Sequence, residues 1–525
     1  MKNPKVFNFM INQNGITSVI NAFDKKKANV VHSHDIGTMT VSGIADGMLL
    51  GVQNNHMVGV SPGEYEGGGT PEFPVDPPVW GLRIDTTNSN PKTSVTLTDN
   101  SRFGYPLSFG EKPCLLKEGE VNYYLDPFDF TKKANGDEAD ITSGEDGDVM
   151  IEIPKMAYFI DQEGQDIVIK LTKHPDAKSI DPRFKYLAHT RQTEGDREFL
   201  YYGAYQGSEL GGKLRSLSKK WPLHSNTIGQ FRSKAELNGP GYGIVSFYPI
   251  TLTQIMYLMK YRHLDSQSIL GQGVTNWTPA VPPFEGVGLG TCSTAAATAA
   301  KSCTVDGFTK VAGNFACVNF TIANTVASPT LNINGTGAHN ILYNGVGAST
   351  NITAGTHLFR FDGTNYILTP ELMTGGTETQ GMYSGSGDAI SHVKFAGIED
   401  WYGNLWDRFD GVCTDAGWNL YTAFDNFNDL GTGYEQRAKF TSANIEGMYL
   451  KRPFGTSEVG FLPYDNTGGS NSTYYCDFIY FRNNTQGGFF GGSFGNSLGA
   501  GSFTLYLSDP ASDSNSGNGS RLLKL

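Results

Sequence analysis

The chain has 525 residues, of which 18% are charged and 12% aromatic, with 65 glycines, 25 tyrosines, 32 phenylalanines and a formal net charge of −12. That length accommodates about two to four domains, and the low charge with abundant glycine and aromatic residues favours turn-rich β structure with few helices. The acidic balance disfavours nucleic acid as a partner, the basic run "KLRSLSKKW" reads as a solvated face, and no apolar run approaches bilayer length.

Residues 1–75 have their own character. The opening "MKNPKVFNFMINQNG" lacks the apolar core of a signal peptide, so a soluble chain made in a cytoplasm is expected. Ile16, Val19, Ile20 and Phe23 fall at the spacing of one helical face and predict a short helix that packs on copies of itself or on a partner. In "VHSHD", His32 and His34 stand two apart, so in a strand both imidazoles point to one side. Three such pairs around the axis of a parallel trimer would offer nitrogens to a first-row metal; solvent-exposed histidines are the alternative. The Gly- and Pro-rich "SPGEYEGGGTPEFPVDPPVWG" then reads as a semi-stiff connector at a domain boundary.

Residues 76–285 alternate strand-like and helical patterns. "TSVTLT", "VMIEIPKMAYFI", "QDIVIKLT" and "EFLYYGAY" read as strands, and "TIGQFRSKAEL" and "TLTQIMYLMKYRHL" as helices. In the second helix Leu252, Ile255, Met256 and Met259 make one apolar face, with Thr251 as a plausible N-cap. The pattern is that of an α+β domain left unfinished. Residues 286–370 shift to an Ala/Thr/Asn-rich text with Asn-Gly and Asp-Gly turns, a small β module inserted through "WTPAVPPFEG" and "TPELMTGGTETQGMYSGSG". Residues 371–525 resume the earlier character.

Six cysteines, Cys114, Cys292, Cys303, Cys317, Cys413 and Cys476, are scattered without paired spacing, which suits reduced, buried thiols rather than a disulfide framework or zinc site. "TAFDNFNDLGTG" offers Asp425, Asn426, Asn428 and Asp429 either as calcium ligands or as parts of a capped turn. In "GIEDWYGNLWDRFDG" the aromatics Trp401, Tyr402, Trp406 and Phe409 are expected to fill a core between loops and short strands.

That last segment carries a family likeness. Gly397, Ile398, Asp400, Gly403, Asn404, Leu405, Trp406 and Asp407 resemble a signature of the C-type-lectin-like fold, in the branch shared by formylglycine-generating enzymes and phage variable receptor-binding proteins. The chain's ending is similar to the closing pattern of the phage proteins at Gly491, Gly492, Phe494, Ala500, Gly501 and Phe503, and again at Ser512, Ser514, Gly519, Arg521 and Leu522, with a departure around Ser497. The His32/His34 pair also resembles motifs of trimeric phage fibres. The likeness covers about residues 80–285 and 375–525. It implies an α+β, C-type-lectin-like domain interrupted by the insert, and a relation to targets of diversity-generating retroelements, whose outward positions are varied by a dedicated reverse transcriptase.

On this reading the glycines and serines of the C-terminal segment make tight turns, while Phe494, Phe503, Leu505, Leu507, Leu522 and Leu523 anchor the last strands. The residues between them would form a binding face: Tyr480, Arg482, Asn483, Asn484, Phe489, Phe490, Ser493, Asn496, Ser502, Thr504 and Tyr506. Tyrosine and phenylalanine among Ser, Asn and Gly supply rigid amphipathic contacts at low entropy cost, although Phe489 and Phe490 could equally be core. The expected function is that of a homotrimeric phage tail-tip protein, attached to tail or baseplate through residues 1–75, which recognises a host-surface glycan or protein. A structural fibre or baseplate component is the main alternative. An enzyme is the lesser one, since Cys413 and Cys476 stand singly and the acids of "GIED" and "DRFDG" are common turn residues.

Overall fold

A computed structural model describes residues 79–525 except 99–107, 192–194, 276–287, 313, 344–345, 349–351, 369–372, 386–391, 441–446 and 516; before residue 79 it describes only the backbone of six strands. The chain divides into two compact units, Met1–Asp76 and Pro77–Leu525.

The strands of the first unit pair as three antiparallel hairpins: Asn8–Gln13 with Ile16–Asn21, Val30–His34 with Gly37–Val41, and Leu49–Gln53 with His56–Val60. The helix predicted around Ile16, Val19 and Ile20 is therefore a strand, and Phe23 lies outside the described residues. The physical reason is local. Asn14-Gly15 is the dipeptide most favoured in two-residue hairpin turns, and the β-branched Ile16, Thr17, Val19 and Ile20 fit a pleated ribbon better than a short helix. His32 stands opposite Met39, and His34 opposite Gly37. The connector proposed at 61–81 lies largely outside the described residues, as do the joints flanking the insert.

The chain is mostly β, 39% strand against 10% helix, and includes about seven turns of solenoid-like β winding. This overturns the expected α+β, C-type-lectin-like fold. Among the described residues only Ile228–Glu236 and Phe247–Tyr261 are helices longer than five residues. A short Gly/Asp/Asn/Trp signature encodes a local chain path: Gly397, Asp400, Gly403 and Asn404 have φ of 82°, 47°, 85° and 59°. Such a sequence of left-handed turns fits more than one architecture. The composition, with its forecast of few helices, is the better guide to the class.

Two sheets dominate the framework that positions the C-terminal segment. The first runs Asp129–Lys133, Glu120–Asp126, Lys112–Lys117, Asp148–Pro154, Phe199–Gly203, Leu522–Lys524, Tyr242–Ile244. The last strand of the chain thus lies between two earlier ones, pairing with both. The second sheet runs Glu435–Lys439, Asn419–Thr422, Trp406–Thr414, Gln486–Phe490, Leu505–Leu507, Phe478–Phe481, Met448–Tyr449, with Asn518–Ser520 alongside Trp406–Thr414 in parallel. The run "VMIEIPKMAYFI" is not one strand: it breaks after Pro154, and Ala157–Glu163 continues in a separate four-stranded sheet. Proline cannot donate to the ladder, so the chain leaves the first sheet there.

The helix Ile228–Glu236 opens with a capping box between Thr227 and Gln230. The helix Phe247–Tyr261 starts four residues before the expected cap at Thr251, whose hydroxyl instead bonds back to the Phe247 carbonyl at 3.0 Å. Every residue from Phe247 to Met259 is buried, so the whole circumference faces protein and not the single apolar stripe expected. The insert forms its own eight-stranded sheet between Leu289 and Leu368, around a separate core that includes Val305, Phe320, Leu331, Ile341 and Phe359. It meets the rest of the unit where the Trp221 ring packs 4.8 Å from Phe315 and under the Arg360 guanidinium.

His189 is fully buried, and neither ring nitrogen has a hydrogen-bond partner. Burial, with a smaller contribution from the Lys155 charge, lowers its pKa from 6.5 to about 3. Protonation therefore favours the unfolded chain. The stability this neutral imidazole confers is complete above about pH 6.5 and is lost as pH falls toward 3, by on the order of several kcal/mol. In denaturant titrations at pH 7 and pH 4.5, His189→Leu should lose distinctly less stability on acidification than the native chain.

Candidate functional site

The register of the second sheet sets a row of side chains on one face. Arg408 stands opposite Phe489, Phe489 opposite Tyr506, and Tyr506 opposite Tyr480; Trp406, two residues before Arg408, shares that face. Their neighbours turn the other way: Phe490 pairs with Asp407 and Leu505, and Phe490, Leu505 and Leu507 join the main core. Of the two expected phenylalanines, the alternation gives Phe489 to the outer row and Phe490 to the core.

This row forms the floor of a cleft with a volume of about 300 Å³, lined by Trp406, Tyr480, Arg482, Phe489, Tyr506, Ser508, Asp509, Asn515 and Asn518. Trp406 and Tyr506 pack with ring centroids 4.3 Å apart and planes inclined by 45°, and Tyr480 lies 5.9 Å from Tyr506. Arg482 is exposed; its guanidinium sits 5.0 Å over the Tyr480 ring and donates to the Tyr480 hydroxyl at 2.7 Å. Burial raises the Tyr506 pKa to about 12, while the Asn496 side chain bonds its hydroxyl, so the phenol stays protonated at neutral pH.

The polar side of the lining comes from the stretch that carries Ser508, Asp509, Asn515 and Asn518. It is held from below by Arg408, fully buried, whose guanidinium lies 4.6 Å over the Phe489 ring. Its two terminal nitrogens donate to the carbonyls of Asp513 at 2.8 Å and Pro510 at 2.7 Å. Asn518 donates to the Asp513 carboxylate at 2.5 Å, and the Ser508 hydroxyl to Asp509 at 2.8 Å. The cleft therefore has an aromatic floor, one exposed cation and a rim of amide and carboxylate groups.

Of the eleven residues expected on a binding face, Tyr480, Arg482, Phe489 and Tyr506 line this cleft. Asn483 and Asn484 are exposed beside Arg482, the former donating to the Ala416 carbonyl at 3.1 Å. Phe489, Phe490, Ser493, Ser502 and Thr504 are all buried, Phe489 at 3% exposure; Phe489 still lines the cleft, and the other four are corrections to the expected face. The Ser493 amide and hydroxyl both donate to Asn496 Oδ1, closing a turn, and Thr504 donates to the Gly499 carbonyl. Nearby Gly501, at φ 156°, has no room for a side chain, since a Cβ would stand 2.1 Å from Asp477 Oδ1. Sequence reasoning assigned Trp406 to the core and passed over Ser508, Asp509, Asn515 and Asn518. Strict alternation from Asp407, read as inward, would have turned Trp406 outward.

Two further expectations fall elsewhere. In the Asp425–Asp429 turn Asn428 Oδ1 accepts from the amides of Leu430 and Thr432, and Asp429 pairs with Arg232 at 2.8 Å, which is the capped-turn arrangement. His32 and His34 lie on one strand, with side chains outside the described set. Burial pushes the Cys413 thiol up to about 12 and raises that of Cys476 further, so neither is a thiolate at neutral pH. No family model matches the chain, and no curated protein is similar to it.

Replacing Arg408 by leucine removes the donors that hold the Pro510–Asp513 stretch and frees two carbonyls near the surface. We expect a loss of roughly 1.5–3 kcal/mol in stability. Amide hydrogen exchange should accelerate across residues 509–518 well before the sheet itself exchanges.

Proposed function

We propose that this is a receptor-binding protein of a phage tail tip, which holds a host-surface glycan or protein in the cleft floored by Trp406, Tyr480, Phe489 and Tyr506. The observation that carries the reading is the cross-strand aromatic row with an exposed arginine and a polar rim. Aromatic faces take up apolar surfaces of a ligand at little entropic cost, and Arg482, Asp509, Asn515 and Asn518 offer donors and acceptors that fix its orientation. The cleft is small for a ligand site, so a single engagement is weak. Useful adhesion would come from several copies acting on a repetitive surface, for which attachment through residues 1–75 and a homotrimer would provide the geometry.

The test is adsorption of the purified, labelled protein to intact candidate host cells. Tyr480→Ala and Tyr506→Ala should each reduce binding about tenfold or more, from the loss of one stacking face of about 1–1.5 kcal/mol per copy multiplied across copies. Circular dichroism and oligomeric state should be unchanged. Undiminished adsorption by both correctly folded variants would sink the reading and favour a structural tail component.

A further inference from the structure

None of the side chains lining the cleft belongs to the polar cluster built around His392. Its Nδ1 lies 2.8 Å from Asp400 Oδ2 and 3.9 Å from Glu399 Oε1. One potential ligand atom from each of these three residues lies within 4.8 Å of the others. Around a cation with bonds of about 2.1 Å, adjacent ligand atoms stand roughly 3–3.5 Å apart, so the three converge to within about an ångström of coordination geometry.

The surroundings orient each group. The imidazole also hydrogen-bonds the Met373 backbone, which fixes the ring's orientation. Glu399 Oε1 accepts from the Gly375 amide at 2.7 Å, and its other oxygen from the Thr377 hydroxyl. Asp400 Oδ2 accepts from Asn404 at 3.0 Å. Asp400 is 1% exposed, yet its Oδ1 has no hydrogen-bond partner. A buried, unpaired carboxylate oxygen costs free energy unless something cationic faces it.

Lys394 stands beside Glu399 and Glu378 but is committed to the Thr377 carbonyl at 3.0 Å and to the face of Phe130.

We infer that His392, Glu399 and Asp400 form a site for a divalent first-row cation such as zinc or manganese. A nitrogen with two carboxylates is a mixed donor set suited to such ions. The bound ion pins the turn that leads into the strand bearing Trp406, because the Glu399 and Asp400 carbonyls also receive the Arg521 guanidinium.

The experiment uses the untagged full chain, stripped with a chelator and titrated with Co(II) as a spectroscopic probe and Zn(II) for thermal shifts. We expect one equivalent per chain, visible Co(II) absorption bands and a raised Tm. His392→Gln should abolish all three, whereas Glu378→Gln, which removes no ligand, and the His32→Gln/His34→Gln pair should retain them. No absorption and no thermal shift in the native chain overturns the proposal, as does binding that survives His392→Gln or disappears with the His32/His34 pair. Should His392→Gln fail to fold, Asp400→Asn replaces it with the same expectations. Should that also fail, the native Co(II) spectrum compared with that of the His32/His34 variant decides.

Discussion

The Arg521 guanidinium, with no exposed surface, is the interaction on which the arrangement of the second unit depends. It donates to Asp407 Oδ2 at 2.8 Å, to the Gly203 carbonyl at 3.2 Å, and to the carbonyls of Glu399 and Asp400 at 2.9 and 2.8 Å. A buried guanidinium costs several kcal/mol unless its donors are met, so these acceptors must arrive together. They come from the strand Phe199–Gly203 and from the turn and strand around 399–407, while Arg521 itself directly precedes the terminal strand Leu522–Lys524. One side chain therefore fixes the C-terminus, the first sheet and the entry to the second. It also fixes which way the strand Trp406–Thr414 faces: with Asp407 drawn inward to Arg521, Trp406 and Arg408 must point to the other side.

The cleft follows from that orientation. Trp406, Phe489, Tyr506 and Tyr480 come from four strands joined by backbone hydrogen bonds, so their positions are set by the ladder before any ligand arrives. Arg408 then uses the same outer face twice, capping the Phe489 ring and tying down the segment that carries Asp509 and Asn515. A site assembled this way has little ordering entropy left to lose on binding.

What could be read from the sequence followed how local the determining physics is. Composition pointed to the scarcity of helices, and the two long helices were legible as helical patterns, whereas the cap expected at Thr251 and the single apolar stripe gave way to a start at Phe247 and burial all round. That Tyr480, Arg482, Phe489 and Tyr506 share one cleft was legible only as an expected outward face between anchoring leucines and phenylalanines. The lectin-like architecture expected from the signature is not the one the chain adopts, because Gly397, Asp400, Gly403 and Asn404 specify turns and leave strand order open. The burial of Ser502 and Thr504 was equally hidden: it depends on Ser266 and Gln254, more than two hundred residues away, reaching the backbone of Ser502. Ile16–Asn21 was misread although its signal was present, since an Asn-Gly dipeptide such as that at 14–15 outranks a three-and-four spacing over so short a run.

The same alternation separates what the C-terminal segment must keep from what it can change. Phe490, Leu505, Leu507 and Arg521 are buried, and altering any of them opens a cavity or strands a charge. Tyr480, Arg482, Ser508, Asp509 and Asn515 are partly or fully exposed and meet the cleft with their outer atoms. Substitution there changes the ligand-facing surface while the sheet, its register and the Arg521 anchor stay in place. On the proposed reading, a binding specificity could therefore be altered residue by residue without the fold being renegotiated each time, which is what a recognition surface under changing demands requires of its frame.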